Sequence, residues 1–96
     1  MTTEQIIASA VNEAKKRLVA NFGQQLTTQA VEMAEQGDHL TAYAVQEVAI
    51  DIAEASAHLY TGEQRDKFNG IITELKDSQT IRAQFVLKQL FDTNNA

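Results

Sequence analysis

Residues 38–62 read DHLTAYAVQEVAIDIAEASAHLYTG, and this stretch decides the fold class. It is rich in alanine, contains no proline, and reaches glycine only at its last position. Because alanine is the best helix former and proline the strongest helix breaker, the stretch predicts one long helix. Asp38 or Thr41 supplies its N-cap, it extends to about Tyr60, and Gly62 stops it.

The whole chain has the same character, with four glycines and no proline in 96 residues. Polar N-cap residues as helix starts and glycines as helix stops predict four further helices. Their ranges are 3–22, 24–36, 62–76 and 79–92. Short connections favour antiparallel neighbours. The sequence therefore predicts an all-α single domain, a compact antiparallel bundle of four to five helices over residues 1–92, with residues 93–96 as a frayed C-terminal tail.

The first predicted helix carries one apolar face. At 100° per residue its apolar side chains fall within roughly 120° of arc, which is typical of a helix that packs on a core. The members of this face are Ile7, Ala10, Val11, Ala14, Leu18 and Phe22. We expect this face to form part of the core.

The helix over residues 38–62 has two apolar sectors rather than one. The first contains Ala44, Val48, Ile52, Ala55 and Leu59, and the second is a ridge of small residues, Ala42, Ala49, Ala53 and Ala57. A helix that is apolar on several sides is typically buried at the centre of a bundle. Small side chains permit close approach of another helix, from the same chain or from a second copy, and the pattern leaves both alternatives open.

The remaining strip of this helix is acidic. Its members, called the acidic stripe below, are Glu47, Asp51, Glu54 and His58. Their spacing places them within roughly 60° of one another. Three interpretations remain: a solvated edge, a docking surface for a basic protein, or ligands for a divalent cation. The Glu-x-x-His pattern of di-iron bundles is not matched, since Glu54 and His58 are four residues apart. We therefore predict no metal ligand and no cofactor.

The last predicted helix has apolar residues on two sides. One broad face contains Ala83, Val86, Leu87, Leu90 and Phe91. Ile81 and Phe85 lie on nearly the opposite side. Either Phe85 packs on the preceding helix near Phe68 and Ile72, or Ile81 and Phe85 form an exposed patch for self-association or a partner. The candidate residues for such contacts are Ala49, Ala53, Ala57, Ile81 and Phe85.

Charge and composition exclude several classes of function. The net charge is −5, and no lysine or arginine occurs between Arg17 and Arg65. Such a surface repels phosphate, which argues against direct nucleic-acid binding. The chain has no cysteine, no serine in a nucleophile elbow and no glycine-rich phosphate loop, so we predict that it is not an enzyme. The absence of a signal sequence and of a long apolar run predicts a cytoplasmic protein without a membrane segment.

These observations favour a small acidic helical protein-interaction module. Its candidate roles are an inhibitor or immunity-type protein, an adaptor or a secretion chaperone, and we expect a homodimer that binds a partner with a basic surface through the acidic stripe. Two alternatives remain. The first is a bundle that binds a small ligand or a divalent metal. The second is a dimeric nucleic-acid-associated regulator that uses Lys15, Lys16 and Arg17.

Overall fold

The protein is entirely helical in the part of the chain that the structure describes. A computed structural model gives the backbone of residues 2–95 and the side chains of residues 2–92. Its helices are α1 (Thr3–Glu35), α2 (His39–Ser56) and α3 (Gly62–Asn95), with a short 3-10 turn over Ala57–Leu59 after α2. The all-α prediction is confirmed, but the chain forms three long helices rather than four to five.

The difference in helix number arises at two predicted borders that the structure does not contain. α1 continues through Gly23, and α3 continues through Gly70 and through residues 77–78, which lie between the predicted helices 62–76 and 79–92. A glycine in a helix interior costs only about 1 kcal/mol relative to alanine, which long helical flanks on both sides can offset. By contrast, Gly37 and Gly62 have φ angles of 85° and 56° and stand at helix borders.

The helix ends that do exist follow local hydrogen-bonding rules. Thr2 and Gln5 form a capping box at the start of α1, as expected from their spacing of three residues. At the other end, the Gly37 N–H donates to the Ala34 carbonyl and the Asp38 N–H to the Met33 carbonyl, which is the Schellman pattern. The Asp38 carboxylate then accepts from the Thr41 N–H at 3.1 Å, so Asp38 is the N-cap of α2.

α2 lies between the two long helices and is antiparallel to both. Near its end, the Asn12 amide of α1 donates to the Leu59 carbonyl at 3.4 Å. Near its start, the Gln89 side chain of α3 accepts from the His39 N–H at 2.6 Å and the Leu40 N–H at 3.1 Å. Within the described residues, the backbones of α1 and α3 do not approach each other closely.

The molecule is elongated, so the prediction of a compact bundle is wrong. Its principal extents are 65 × 20 × 16 Å. The Cα radius of gyration is 17.1 Å, against roughly 12.5 Å for a compact domain of this length. The cause is a mismatch of helix lengths: α1 and α3 have 33 and 34 residues, whereas α2 has 18. At 1.5 Å per residue, α2 covers only about half of either neighbour.

The core is small and is built largely from alanine. Its buried apolar residues are Ala30, Ala42, Ala49, Ile50, Ala53, Leu59 and Ile72. The face of α1 that the sequence predicts as core is not buried: Ile7, Val11, Leu18 and Phe22 are all exposed. α1 instead contacts the rest of the chain through the side that carries Asn12 and Ala30.

The predicted frayed tail, residues 93–96, falls at the limit of the described chain. The backbone of residues 93–95 continues α3, and Ala96 lies outside the described residues. The division into a domain over residues 1–92 and a frayed tail stays a prediction.

Candidate functional site

An open groove runs between α1 and α3, above α2. Its volume is about 660 Å³. Ala49, Ile52 and Ala53 of α2 line its floor. The apolar wall residues are Val19 and Ala20 of α1 and Phe68, Ile71 and Leu75 of α3. The groove is therefore a predominantly apolar surface formed by all three helices.

Small side chains on α2 explain why the groove is present. Ala49 and Ala53 extend no further than Cβ, so the flanking helices rise above the floor on both sides. These alanines belong to the predicted small-residue ridge, which is buried against the chain's own helices at Ala42, Ala49 and Ala53. Ala57 is half-buried in the 3-10 turn and does not line the groove. The sequence analysis therefore identified Ala49 and Ala53 as members of a small-residue ridge, but it predicted neither the groove nor its two walls.

A cluster of polar and aromatic contacts holds α1 and α3 together at one end of the groove. The rings of Tyr60 and Phe68 stack with centroids 4.3 Å apart. The Lys16 ammonium lies 5.5 Å from the Tyr60 ring centroid and donates to Gln64 at 3.3 Å and Glu13 at 3.1 Å. This end fixes the spacing of the two walls.

The charge of the groove is opposite to that of the protein as a whole. Lys16 and Lys67 are the charged residues among those that line it, while the net charge of the chain is −5. A cation beside an apolar surface attracts a carboxylate more strongly than in open water, because the apolar wall lowers the local dielectric constant. Lys16 already forms a salt bridge with Glu13, so Lys67 supplies the larger share of this attraction.

The acidic stripe lies on the opposite face of α2 from the groove floor. Glu47 accepts a hydrogen bond from Gln79 at 2.9 Å, and Glu54 forms a salt bridge with Lys76 at 2.9 Å. Asp51 and His58 are exposed. His58 belongs to the 3-10 turn that follows α2 and not to α2 itself. Two of the four predicted residues therefore have partners on α3, and the role of the stripe in binding stays a prediction.

The structure does not bring metal-ligating side chains together. Among the described residues, no group of three or more histidine, aspartate or glutamate side chains is placed to hold a metal ion. The second histidine, His39, lies at the start of α2, the opposite end of that helix from His58.

Ile81 and Phe85 are exposed, as one of the two sequence-based alternatives states. Their exposed fractions are 63% and 50%. Phe85 stacks on His39 with the ring centroids 5.2 Å apart. The alternative that placed Phe85 against Phe68 and Ile72 is wrong, because all three lie on one uninterrupted helix. Residues 13 or more positions apart on α3 are separated by roughly 20 Å or more.

We compared the three-helix chain with known proteins in three ways. A scan against models of protein families, a search of curated proteins and a search of solved structures each return no match. Within residues 2–95, none of the helices combines the length and the apolar character needed to cross a membrane.

The spacing of apolar residues in the sequence indicates one of the groove walls, although the sequence analysis did not use it. Phe68, Ile71 or Ile72, and Leu75 recur at helical spacing across Gly70. The predicted helix 62–76 contains all of these residues, but no apolar face was assigned to it, so the side of α3 that lines the groove was missed.

Proposed function

We propose that the protein is a small acidic protein-interaction module that binds an amphipathic helix of a partner protein in the groove between α1 and α3. An inhibitor, adaptor or chaperone role in the cytoplasm, without catalytic activity, accords with this proposal. The observation that carries it is an open, largely apolar groove whose two walls do not contact each other along most of their length.

The dimensions of the groove suit one helix. On α3 its lining extends from residue 64 to residue 75, and Tyr60 lies just before that helix. Residues 64–75 of α3 extend over about 17 Å, a length that a helix of about 12 residues spans. Helix-in-groove recognition depends on apolar anchors at i, i+3 or i+4, and i+7, which would contact Val19, Phe68 and Ile71.

The charge of the groove specifies the partner further. Lys16 and Lys67 favour a helix with acidic residues beside its apolar anchors. This partner differs from the basic one predicted from the acidic stripe, because the stripe faces the other side of α2. Binding of a basic protein to that stripe, formed by Glu47, Asp51, Glu54 and His58, remains a separate prediction.

Fluorescence anisotropy with labelled model peptides tests the proposal directly. Two amphipathic peptides of about 15 residues would share leucine anchors at helical spacing and differ only in flanking glutamate or lysine. We expect the glutamate peptide to bind more tightly, and its affinity to fall when Lys67 is replaced by glutamate. Failure of both peptides to bind at high protein concentration would contradict the proposal.

A matched pair of variants locates the binding surface. Ile71→Asp places a charge on the groove wall, whereas Ile81→Asp places the same charge on the same helix outside the groove. Both side chains are more than half exposed, so neither substitution removes a core contact. We expect Ile71→Asp alone to abolish peptide binding. Loss of binding in Ile81→Asp alone would instead move the site to the Ile81–Phe85 patch.

A small apolar ligand is a second candidate occupant, because the groove volume of about 660 Å³ lies within the usual range for ligand sites. Competition separates the two candidates. A compound that displaces the peptide and binds Ile71→Asp poorly would indicate a small-molecule site at the same surface. Peptide binding that no apolar compound displaces would support the protein partner.

A further inference from the structure

The outer side of α1 carries a line of exposed apolar side chains that none of the described residues covers. Its members, called the α1 stripe below, are Ile7, Val11, Leu18 and Phe22, with exposed fractions between 44% and 67%. At 100° per residue they lie within about 60° of arc, and from Ile7 to Phe22 they extend over about 22 Å. A continuous apolar line of this length on a helix is typical of a helix–helix contact.

The elongated chain exposes more surface than a compact protein of its mass. The accessible surface is 6847 Å², roughly 1,400 Å² more than the ~5,500 Å² expected for a compact protein of 10.6 kDa. A standard interface buries about 800 Å² on each partner, so the additional surface exceeds the area that one copy contributes to a stable dimer. Among the described residues no large side chain is fully buried in the single chain.

The spacing of the α1 stripe is self-complementary. The stripe is symmetric about the midpoint between Ala14 and Lys15. Val11 and Leu18 lie at equal distances on either side of that midpoint, and so do Ile7 and Phe22. If two α1 helices pack antiparallel about a two-fold axis at Ala14–Lys15, Val11 meets Leu18 of the second copy, and Ile7 meets its Phe22. An isologous contact requires this property, since the same surface must match itself.

We propose that the protein forms a homodimer by antiparallel packing of the α1 stripes of two copies. The groove stays accessible in this dimer: Ala20, which lines the groove, lies about 180° around α1 from Val11. Each copy therefore presents one groove, and a dimer presents two. The dimer does not depend on the partner helix proposed above, so each proposal can fail without the other.

Two valine variants of equal exposure test which face of α1 self-associates. Val11 and Val31 are 44% and 45% exposed, lie on the same helix and point about 160° apart. Sedimentation velocity across a concentration series should show wild type and Val31→Asp as dimers. We expect Val11→Asp to be a monomer under the same conditions, with a self-dissociation constant raised by at least about tenfold. A wild type that stays monomeric at every concentration, or a Val11→Asp variant as dimeric as Val31→Asp, would overturn the proposal.

Disulfide trapping tests the antiparallel arrangement and does not require Val11→Asp to fold. The chain has no cysteine, so single-cysteine variants report one contact each. Lys15 is exposed and lies next to the axis, so Lys15→Cys should form a disulfide-linked dimer under mild oxidation. In the antiparallel dimer the two copies of residue 7 are about 22 Å apart, beyond disulfide reach. Ile7→Cys should therefore not cross-link with itself, and efficient self-linkage there would show that the helices pack in parallel.

Discussion

At the scale of single residues, two buried glutamines differ in how their polar groups are satisfied. Gln46 is 2% exposed, and its side-chain oxygen has no hydrogen-bond partner. Gln79 is 4% exposed and fully engaged: it donates to the Tyr43 carbonyl and to Glu47, and accepts from Arg82. Since an unsatisfied buried acceptor destabilises the folded state, these residues contribute to stability with opposite sign.

The same substitution at both positions should reveal this difference. Methionine has nearly the shape of glutamine but no strong hydrogen-bonding group. We expect Gln46→Met to raise the free energy of unfolding by about 1 kcal/mol, and Gln79→Met to lower it by about 1–3 kcal/mol, because the second change leaves Glu47 and Arg82 without a partner at the α2–α3 interface. Urea denaturation measures both values. A loss of stability in Gln46→Met equal to that in Gln79→Met would show that Gln46 is also satisfied.

The N-cap of α2 should confer a dependence of stability on pH. Hydrogen bonds from the Thr41 side chain and backbone, helped by Gln89 and by the nearby His39, hold the pKa of Asp38 below its ordinary value. A carboxyl group with a lowered pKa in the folded state stabilises it above the unfolded-state pKa of about 3.9, and this contribution is lost as the pH falls through the folded-state pKa.

Asp38→Asn is the control for this pH effect, because asparagine also caps helices but does not titrate. We expect the melting temperature of wild type to fall more steeply than that of Asp38→Asn between about pH 5 and pH 2.5. The difference between the two proteins should disappear at the acidic end of this range. Parallel melting curves over the whole range would contradict a role for the Asp38 charge.

At the scale of helices, the four glycines are alike in the sequence but have two different roles. Gly23 and Gly70 lie inside α1 and α3, whereas Gly37 and Gly62 adopt positive φ at helix borders. A Cβ atom added at any of the four would meet nothing within 4 Å. Backbone conformation alone therefore decides the effect of alanine at each position.

Alanine substitution should divide the glycines into two pairs. We expect Gly23→Ala and Gly70→Ala each to stabilise the fold by about 0.5–1 kcal/mol, since alanine favours helix and lowers the entropy of the unfolded chain. Gly37→Ala and Gly62→Ala should each destabilise it by about 1 kcal/mol, because alanine is strained at positive φ. Circular dichroism during thermal unfolding checks all four. Destabilisation by Gly23→Ala would mean that α1 is broken there, as the sequence analysis predicted.

Local rules were sufficient for several helix ends but not for the helix number. The caps at Thr2 and Asp38 and the stop at Gly37 follow from residue type and short-range spacing. The predicted extension of α2 to about Tyr60 is wrong, because α2 ends at Ser56 and Gly62 begins α3. Whether a helix continues through Gly23 depends on a balance of about 1 kcal/mol with the flanking segments, which local sequence does not resolve. The sequence analysis found the apolar face of α1 but predicted that it packs on the core of the same chain, whereas it is exposed. Helical periodicity shows that a face is apolar, but it does not show whether the same chain or another molecule covers that face.

At the scale of the whole molecule, charge attraction favours one of the two proposed interfaces and charge repulsion opposes the other. The groove presents Lys16 and Lys67 to an acidic helix, so opposite charges meet there. In the proposed α1 dimer, the two copies of Lys15 face each other across the nearby two-fold axis, and each chain carries a net charge of −5. Salt screens attraction in the first case and repulsion in the second.

Ionic strength should therefore change the two affinities in opposite directions. Between about 0.1 M and about 1 M salt the screening length falls from about 10 Å to about 3 Å. We expect the glutamate peptide to bind the groove more weakly at the higher salt concentration, while sedimentation shows tighter self-association. Lys15→Ala should strengthen the dimer at low salt and reduce its response to salt, because it removes the pair of like charges beside the axis. Self-association that weakens as salt is added would contradict the proposed apposition of Lys15, since it would require opposite charges to meet across the dimer.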